Sequence, residues 1–176
     1  MTDWEAQFKT AELMALKAHQ GEQYGNFPYH HHLQEVVNVL IEFGATLNNP
    51  ETALILIAAW LHDSVEDTSL TYDLILNRFG QEVADIVEAV TDEPGRNRKE
   101  RKALTYAKTR KNEKAIILKL ADRIANLRAS RLYNSQKLKI YAKEQKDFEQ
   151  ALQAYSNSPL SQQLWTELEH TLTAFH

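Results

Sequence analysis

The feature that most constrains this chain is the apolar run ALILIAAWL, Ala53 to Leu61, which offers no polar side to water. A helix that is apolar all round belongs at the centre of a bundle, with other helices packed on every side. Asn49 and Pro50 supply its start. The Asn side chain accepts a bond from an early backbone amide, and Pro fits the first helical position because it has no N–H to lose there. At the other end stand His62 and Asp63, and polar groups so close to a buried run need partners.

The remaining segments read as helices able to surround that centre. From Thr2 to His19, Trp4, Phe8, Ala11, Ala15 and Ala18 recur at helical spacing, and Gly21, Gly25 and Pro28 then mark a loop. His32 to Phe43 carries Leu33, Val36, Val37, Leu40 and Ile41 on one stripe and stops at Gly44. Shorter helices are expected from Tyr72 to Phe79, ended by Gly80, and from Gln81 to Val90, before the Pro94-Gly95 turn. The basic run RNRKERK, Arg96 to Lys102, leads into a helix toward Thr109, and Glu113 to Leu132 forms a longer one. Ser158 and Pro159 repeat the cap signal before Leu160, Leu164, Trp165, Leu168 and Leu172. With five glycines and four prolines in 176 residues, the expected class is all-α, an irregular multi-helix bundle forming a single domain over residues 1–176.

The net charge of −4 gives no global attraction for a polyanion, so a nucleic-acid polymer is not an expected partner. The absence of cysteine excludes disulfides and thiolate ligands, leaving imidazole and carboxylate as the strong metal ligands; it also suits a cytoplasmic setting. The apolar run is far below spanning length and MTDWEAQFKT holds no signal-type run, so neither membrane insertion nor export is expected.

Neutral imidazole and ionised carboxylate suit Mn²⁺, Fe²⁺ or Zn²⁺ and leave coordination positions open for water and substrate oxygens. If the helix persists past His62 and Asp63, Glu66 and Asp67 lie one turn on, beside the pair, where they can orient or deprotonate a water. A His-Asp dipeptide alone reads first as a capped helix end or a surface pair. The wider pattern is more specific: YHHHL upstream, AAWLHDSVEDT at the centre and KLADRIANLR downstream.

With these motifs the chain resembles the HD hydrolase family, and within it the hydrolase domain of the RelA/SpoT proteins, which break down the alarmone guanosine tetraphosphate. The matching positions are Pro28-Tyr29 before His32, then His62, Asp63, Glu66, Asp67 and Thr68, then Phe79-Gly80 before Val83, and Lys119 to Arg123 with Asn126. The likeness spans roughly residues 11–130, and helices of about 135–176 complete the chain. It implies metal ligands at His32, His62, Asp63 and Asp122, Glu66 and Asp67 as the pair handling the attacking water, a bundle of the HD-domain type, and Mn²⁺ as the ion. The family's spacing from the Tyr of its motif, here Tyr29, implies His32 over His30 and His31, which read as loop or surface residues. His19 is expected to pack or orient a neighbour, and His170 and His176 to be exposed.

The implied reaction is hydrolysis of a phosphorylated nucleotide, in which a cation neutralises phosphoryl oxygens and acidifies a water. Asn126, one turn beyond Asp122, is a candidate for a sugar hydroxyl or phosphate. Arg98 and Arg101 are candidates for phosphate contacts, with a solvated charge run as the competing explanation. Arg123 is expected to brace the fold. The loop from Gly21 to Phe27 lacks the basic residue that contacts the nucleotide in the alarmone hydrolases, and Ala125 and Ala129 replace a His and a Thr. Tyr24 and Phe27 are candidates to stack on a base, packing within the loop being the simpler alternative. After Ser130 only two helical patterns remain, so alarmone synthesis is not expected. The foremost expectation is a guanosine-3′,5′-bis(diphosphate) 3′-pyrophosphohydrolase. The alternatives are a related phosphatase acting on a 2′- or 3′-phosphorylated nucleotide and a non-catalytic nucleotide sensor.

Overall fold

In the computed structural model, which describes residues 3–173, most of the helices begin at a side chain that accepts a bond from an early backbone amide. Asp3 caps α1 (Trp4–Ala18), Asn49 caps α3 (Pro50–Leu61) and Thr71 caps α5 (Tyr72–Phe79). Asn97 caps α7 (Arg98–Thr109), Asn112 caps α8 (Glu113–Tyr133) and Asn134 caps α9 (Ser135–Leu152). The remaining helices are α2 (His30–Glu42), the single turn α4 (Ser64–Asp67), α6 (Gln81–Val90) and α10 (Pro159–Thr173), where Ser158 Oγ accepts from the Ser161 amide. Each such cap satisfies an amide that the helix itself leaves unpaired and contributes about 1 kcal/mol.

Helix α3 is the axle. Every residue from Ala53 to Leu61 is buried, and the helix packs against α1, α2, α6 and α8. The long α8 runs beside it and carries α2, α9 and α10 on its other faces. Gly80 has φ +89°, a left-handed conformation that a side chain would strain, and so turns the chain sharply from α5 into α6.

Three local features differ from the sequence reading. The loop after α1 holds a small antiparallel hairpin, β1 (Gln23–Tyr24) and β2 (Phe27–Pro28), in which Gln23 faces Pro28 and Tyr24 faces Phe27. Helix α2 starts at His30, two residues before the expected point. The central helix does not run through to Asp67: it stops at Leu61, and Glu66 and Asp67 sit on the separate turn α4. The reason is local, because His62 Nδ1 lies 2.8 Å from the Ala59 carbonyl, the acceptor that the next helical amide would use.

The packing yields a direct expectation. Ile57→Ala removes a fully buried side chain at the centre and should lower unfolding stability by about 2–5 kcal/mol, whereas Leu13→Ala, at a position 56% exposed, should change it by no more than about 0.5 kcal/mol. Urea denaturation of both variants checks this, and similar losses in the two would mean that α3 is not the centre of the core.

Candidate metal centre

Three separated segments bring four side chains to one point. His32 comes from the first turns of α2, where Leu33, Val36 and Val37 anchor the helix on the core. His62 and Asp63 lie at the break after α3, and Asp122 lies midway along α8. His32 Nε2 is 3.3 Å from Asp122 Oδ1 and 3.6 Å from Asp63 Oδ2, and His62 Nε2 is 3.2 Å from Asp63 Oδ2 and 3.8 Å from Asp122 Oδ1. One ligand atom each from His32, His62 and Asp63 falls within a 4.8 Å span.

The chemistry of this set fits a divalent cation. His62 Nδ1 is engaged with the Ala59 carbonyl, which keeps the proton on that nitrogen and turns the Nε2 lone pair toward the cluster. Yet Nε2 is buried and makes no aligned hydrogen bond, although Asp63 lies close by. An orphaned buried nitrogen surrounded by carboxylate oxygens is the arrangement that a cation completes. Two imidazole nitrogens and two carboxylate oxygens form a mixed donor set of the kind that binds Mn²⁺, Fe²⁺ or Zn²⁺.

The charges around the cluster depend on one another. Burial opposes the ionised form of Asp63, but His62 and His32 outweigh it and hold the carboxyl well below the usual range. Asp122 behaves likewise, with burial opposed chiefly by Lys119, whose Nζ is 3.5 Å from Asp122 Oδ2. Burial opposes a charge on His62, yet Asp63 and Asp122 raise its pKa to about 9. In the metal-free protein a proton on His62 therefore supplies positive charge to the cluster.

Glu66 and Asp67 line the edge of a cavity of about 410 Å³ that opens onto Asp63 and Asp122. Glu66 Oε2 accepts from the Asp92 amide at 3.1 Å; burial, with the charge of Asp92, raises its pKa. Burial and Asp63 raise that of Asp67.

The cavity wall includes three of the substrate-facing candidates, Tyr24, Arg98 and Asn126. Asn126 faces it but is engaged within the protein: Nδ2 donates to Asp122 Oδ1, and Oδ1 accepts from Tyr24 Oη at 2.7 Å. Tyr24, a candidate to stack on a base or to pack within the protein, stacks on His32, with ring centroids 4.7 Å apart. Arg98 lines the cavity, but its guanidinium grips both oxygens of Glu144 at 2.6 and 3.2 Å. Arg101 is not among the residues that line this cavity. The stripe that faces inward is 98, 102, 106 at four-residue spacing, and position 101 is rotated off it by about 100°. That spacing was available in the sequence and points to Lys102, whose Nζ contacts both Asp92 oxygens at 2.9 and 2.8 Å. Lys119 and Lys137 add positive charge to the same wall.

The other histidines divide as expected. His30 and His170 are exposed, and His31 stacks on Phe27 outside the cluster; His176 lies outside the described residues. Arg123 braces the fold, donating to the Tyr141 carbonyl at 2.6 Å and pairing with Glu144.

Comparison with known proteins gives concordant results. A family model described as HD domain matches residues 11–149. The guanosine-3′,5′-bis(diphosphate) 3′-pyrophosphohydrolase of Aquifex aeolicus is 39% identical over 121 residues, 66% of this chain and 16% of that protein. The enzyme of the same activity named MESH1 from Xenopus tropicalis is 42% identical over 102 residues, 57% of this chain and 55% of that protein. The chain thus spans a minor part of the first relative and about half of the second. Among solved structures, a metazoan ortholog of SpoT described as hydrolysing ppGpp superposes with a TM-score of 0.79 at 26% identity, covering 97% of this chain and 96% of that one.

The raised pKa of His62 has a measurable consequence. Its ordinary value is 6.5, so its contribution to the stability of the metal-free protein is fully present below pH 6.5 and is lost as the pH rises through about 9. The melting temperature of the chelator-treated protein should fall across that interval, while the increase produced by added Mn²⁺ should grow because the ion displaces the proton. A Mn²⁺-induced shift that is independent of pH would contradict this assignment.

Proposed function

The chain belongs to the HD-domain family, and on that premise we propose that it is a metal-dependent phosphohydrolase that removes pyrophosphate from the 3′ position of guanosine 3′,5′-bis(diphosphate), with Mn²⁺ as its ion. The observation that carries the proposal is the convergence of His32, His62, Asp63 and Asp122 on one point beside a cavity edged by Glu66 and Asp67. The activities named for the Aquifex and Xenopus relatives and for the SpoT ortholog support this substrate.

These four residues would hold a divalent ion, which would supply positive charge to phosphoryl oxygens and acidify a water. The protein's own groups do the rest. Lys102, Lys119 and Lys137 on the cavity wall meet the substrate's negative charge, which bulk solvent screens less inside a cleft. Glu66 and Asp67 orient the attacking water and accept its proton, the environment of each favouring proton uptake. Attack in line on phosphorus breaks the bond to the 3′ oxygen, which takes a proton from solvent. A second hollow of about 450 Å³ shares Tyr24, Gly25, His32 and Lys137 with the first and has Phe27 and Tyr133 in its wall, a setting that suits a nucleoside.

One observation favours a second reading, a phosphatase acting on a 2′- or 3′-phosphorylated nucleotide. The stretch from Gly21 to Phe27, whose Tyr24 lines both hollows, has no basic residue to grip a 5′-diphosphate. Incubation with Mn²⁺ and a nucleotide panel separates the two. Release of pyrophosphate from guanosine 3′,5′-bis(diphosphate) is the expected result, and orthophosphate release confined to monophosphorylated nucleotides favours the second reading. Asp63→Ala should abolish turnover together with tight Mn²⁺ binding. Glu66→Gln should keep Mn²⁺ affinity while lowering kcat by about 10²–10⁴-fold. The acidic limb of the wild-type kcat/KM profile should lie above the ordinary glutamate value of 4.5, with activity lost as the pH falls through it. A full-rate Glu66→Gln enzyme would remove Glu66 from the mechanism.

A further inference from the structure

Tyr29 joins β2 to α2, and its hydroxyl meets both halves of the site. Oη donates to Asp63 Oδ2 at 2.7 Å and lies 3.2 Å from Asp67 Oδ2. One phenolic O–H donates to a single acceptor at a time, so the shorter contact takes the proton and the second carboxylate is held at the fork. The two carboxylates carry like charge, and the hydroxyl between them offsets part of their repulsion.

The ring has little freedom to move. It stacks face to face on His19, with centroids 4.5 Å apart and planes 10° apart, and meets the rings of Tyr24 and His32 edge-on at 6.3 and 6.0 Å. His19 is itself buried and fixed by a 2.7 Å contact from Nδ1 to Glu22 Oε2. The Tyr29 amide donates to the Glu22 carbonyl at 3.0 Å, so Glu22 secures both the backbone of Tyr29 and the platform beneath its ring. A rigid support of this kind holds a first ring of ligands in place more firmly than the ligands hold themselves.

We infer that Tyr29 is a positioning residue: its hydroxyl aims Asp63 Oδ2 at the metal and holds Asp67 at a set distance from it, so one phenol sets both metal affinity and the geometry of the attacking water. This rests on the metal-dependent reading given above. Tyr29 acts through the two carboxylates and contacts neither metal nor phosphorus. The pair of buried His19 and half-buried Glu22, which has no part in the reaction itself, serves as its buttress.

Tyr29→Phe removes the hydroxyl and keeps the stacked ring, so the melting temperature of the metal-free protein should stay within about 4 °C of wild type. Mn²⁺ affinity, read from the free-ion electron paramagnetic resonance signal, should fall by about 10–100-fold. At saturating Mn²⁺, kcat for guanosine 3′,5′-bis(diphosphate) should fall by about 10-fold or more, with KM changed less than about twofold. A double-mutant cycle adds a readout that general damage to the fold would not produce. In an Asp67→Ala background, Tyr29→Phe should cause no further loss of kcat, whereas independent effects would add. Wild-type Mn²⁺ affinity in Tyr29→Phe, or full additivity in the cycle, overturns the inference. If the wild-type protein hydrolyses none of the nucleotides, the proposed reaction fails, and the Mn²⁺ titration still decides the role of Tyr29.

Discussion

Two imidazoles and two carboxylates sit at the end of a helix with no polar side, and this buried charge has to be compensated. An unpaired ionised carboxylate in such surroundings is costly enough that proteins normally protonate it, pair it or give it a metal. Here the side chains of Asp63 and Asp122 are 21% and 14% exposed, and those of His32 and His62 are 4% and 1% exposed. The apolar run of α3 forces this situation. Because α3 must be surrounded, its C-terminal end lies inside the bundle, and α2 and α8, which pack beside it, deliver their own polar residues to the same place.

Around the cluster stands a second set of groups that decides how the first can be used. The Ala59 carbonyl fixes the His62 ring, Asn126 binds Asp122, Lys119 pairs with Asp122, and Tyr29 binds Asp63. Each of these bonds removes a rotation or a competing protonation state, so the clustered side chains are held on one point by the protein itself. On the open side, Glu66 and Asp67 belong to a short turn outside α3. The break after Leu61 leaves His62 and Asp63 at the cluster and sets Glu66 and Asp67 on the following turn, along the edge of the cavity.

Much of this was legible in the chain itself. The Asn49-Pro50 cap, the apolar stripe behind His32 and the Gly80 turn carry strong local signals, because capping, periodicity and left-handed backbone depend on residues only a few positions apart. The four clustered residues were legible only as an ordered set of motifs resembling a family. What stayed hidden was non-local. The hairpin at Gln23–Pro28 is too short to show alternation. The bonds of Tyr24 to Asn126 and of Arg98 to Glu144 join residues far apart in sequence, so their side chains looked free for ligand when they are engaged with one another. Tyr29 belongs to a motif, but nothing in its spacing discloses that its hydroxyl forks between Asp63 and Asp67.

The role of the cluster is tested most directly by where a metal goes. Crystals of the protein soaked in Mn²⁺ and measured at the manganese absorption edge should give one strong anomalous peak within bonding distance of Nε2 of His32 and of His62 and of a carboxylate oxygen of Asp63 and of Asp122. A peak elsewhere, or one that leaves His32 or Asp122 outside the coordination sphere, would contradict it.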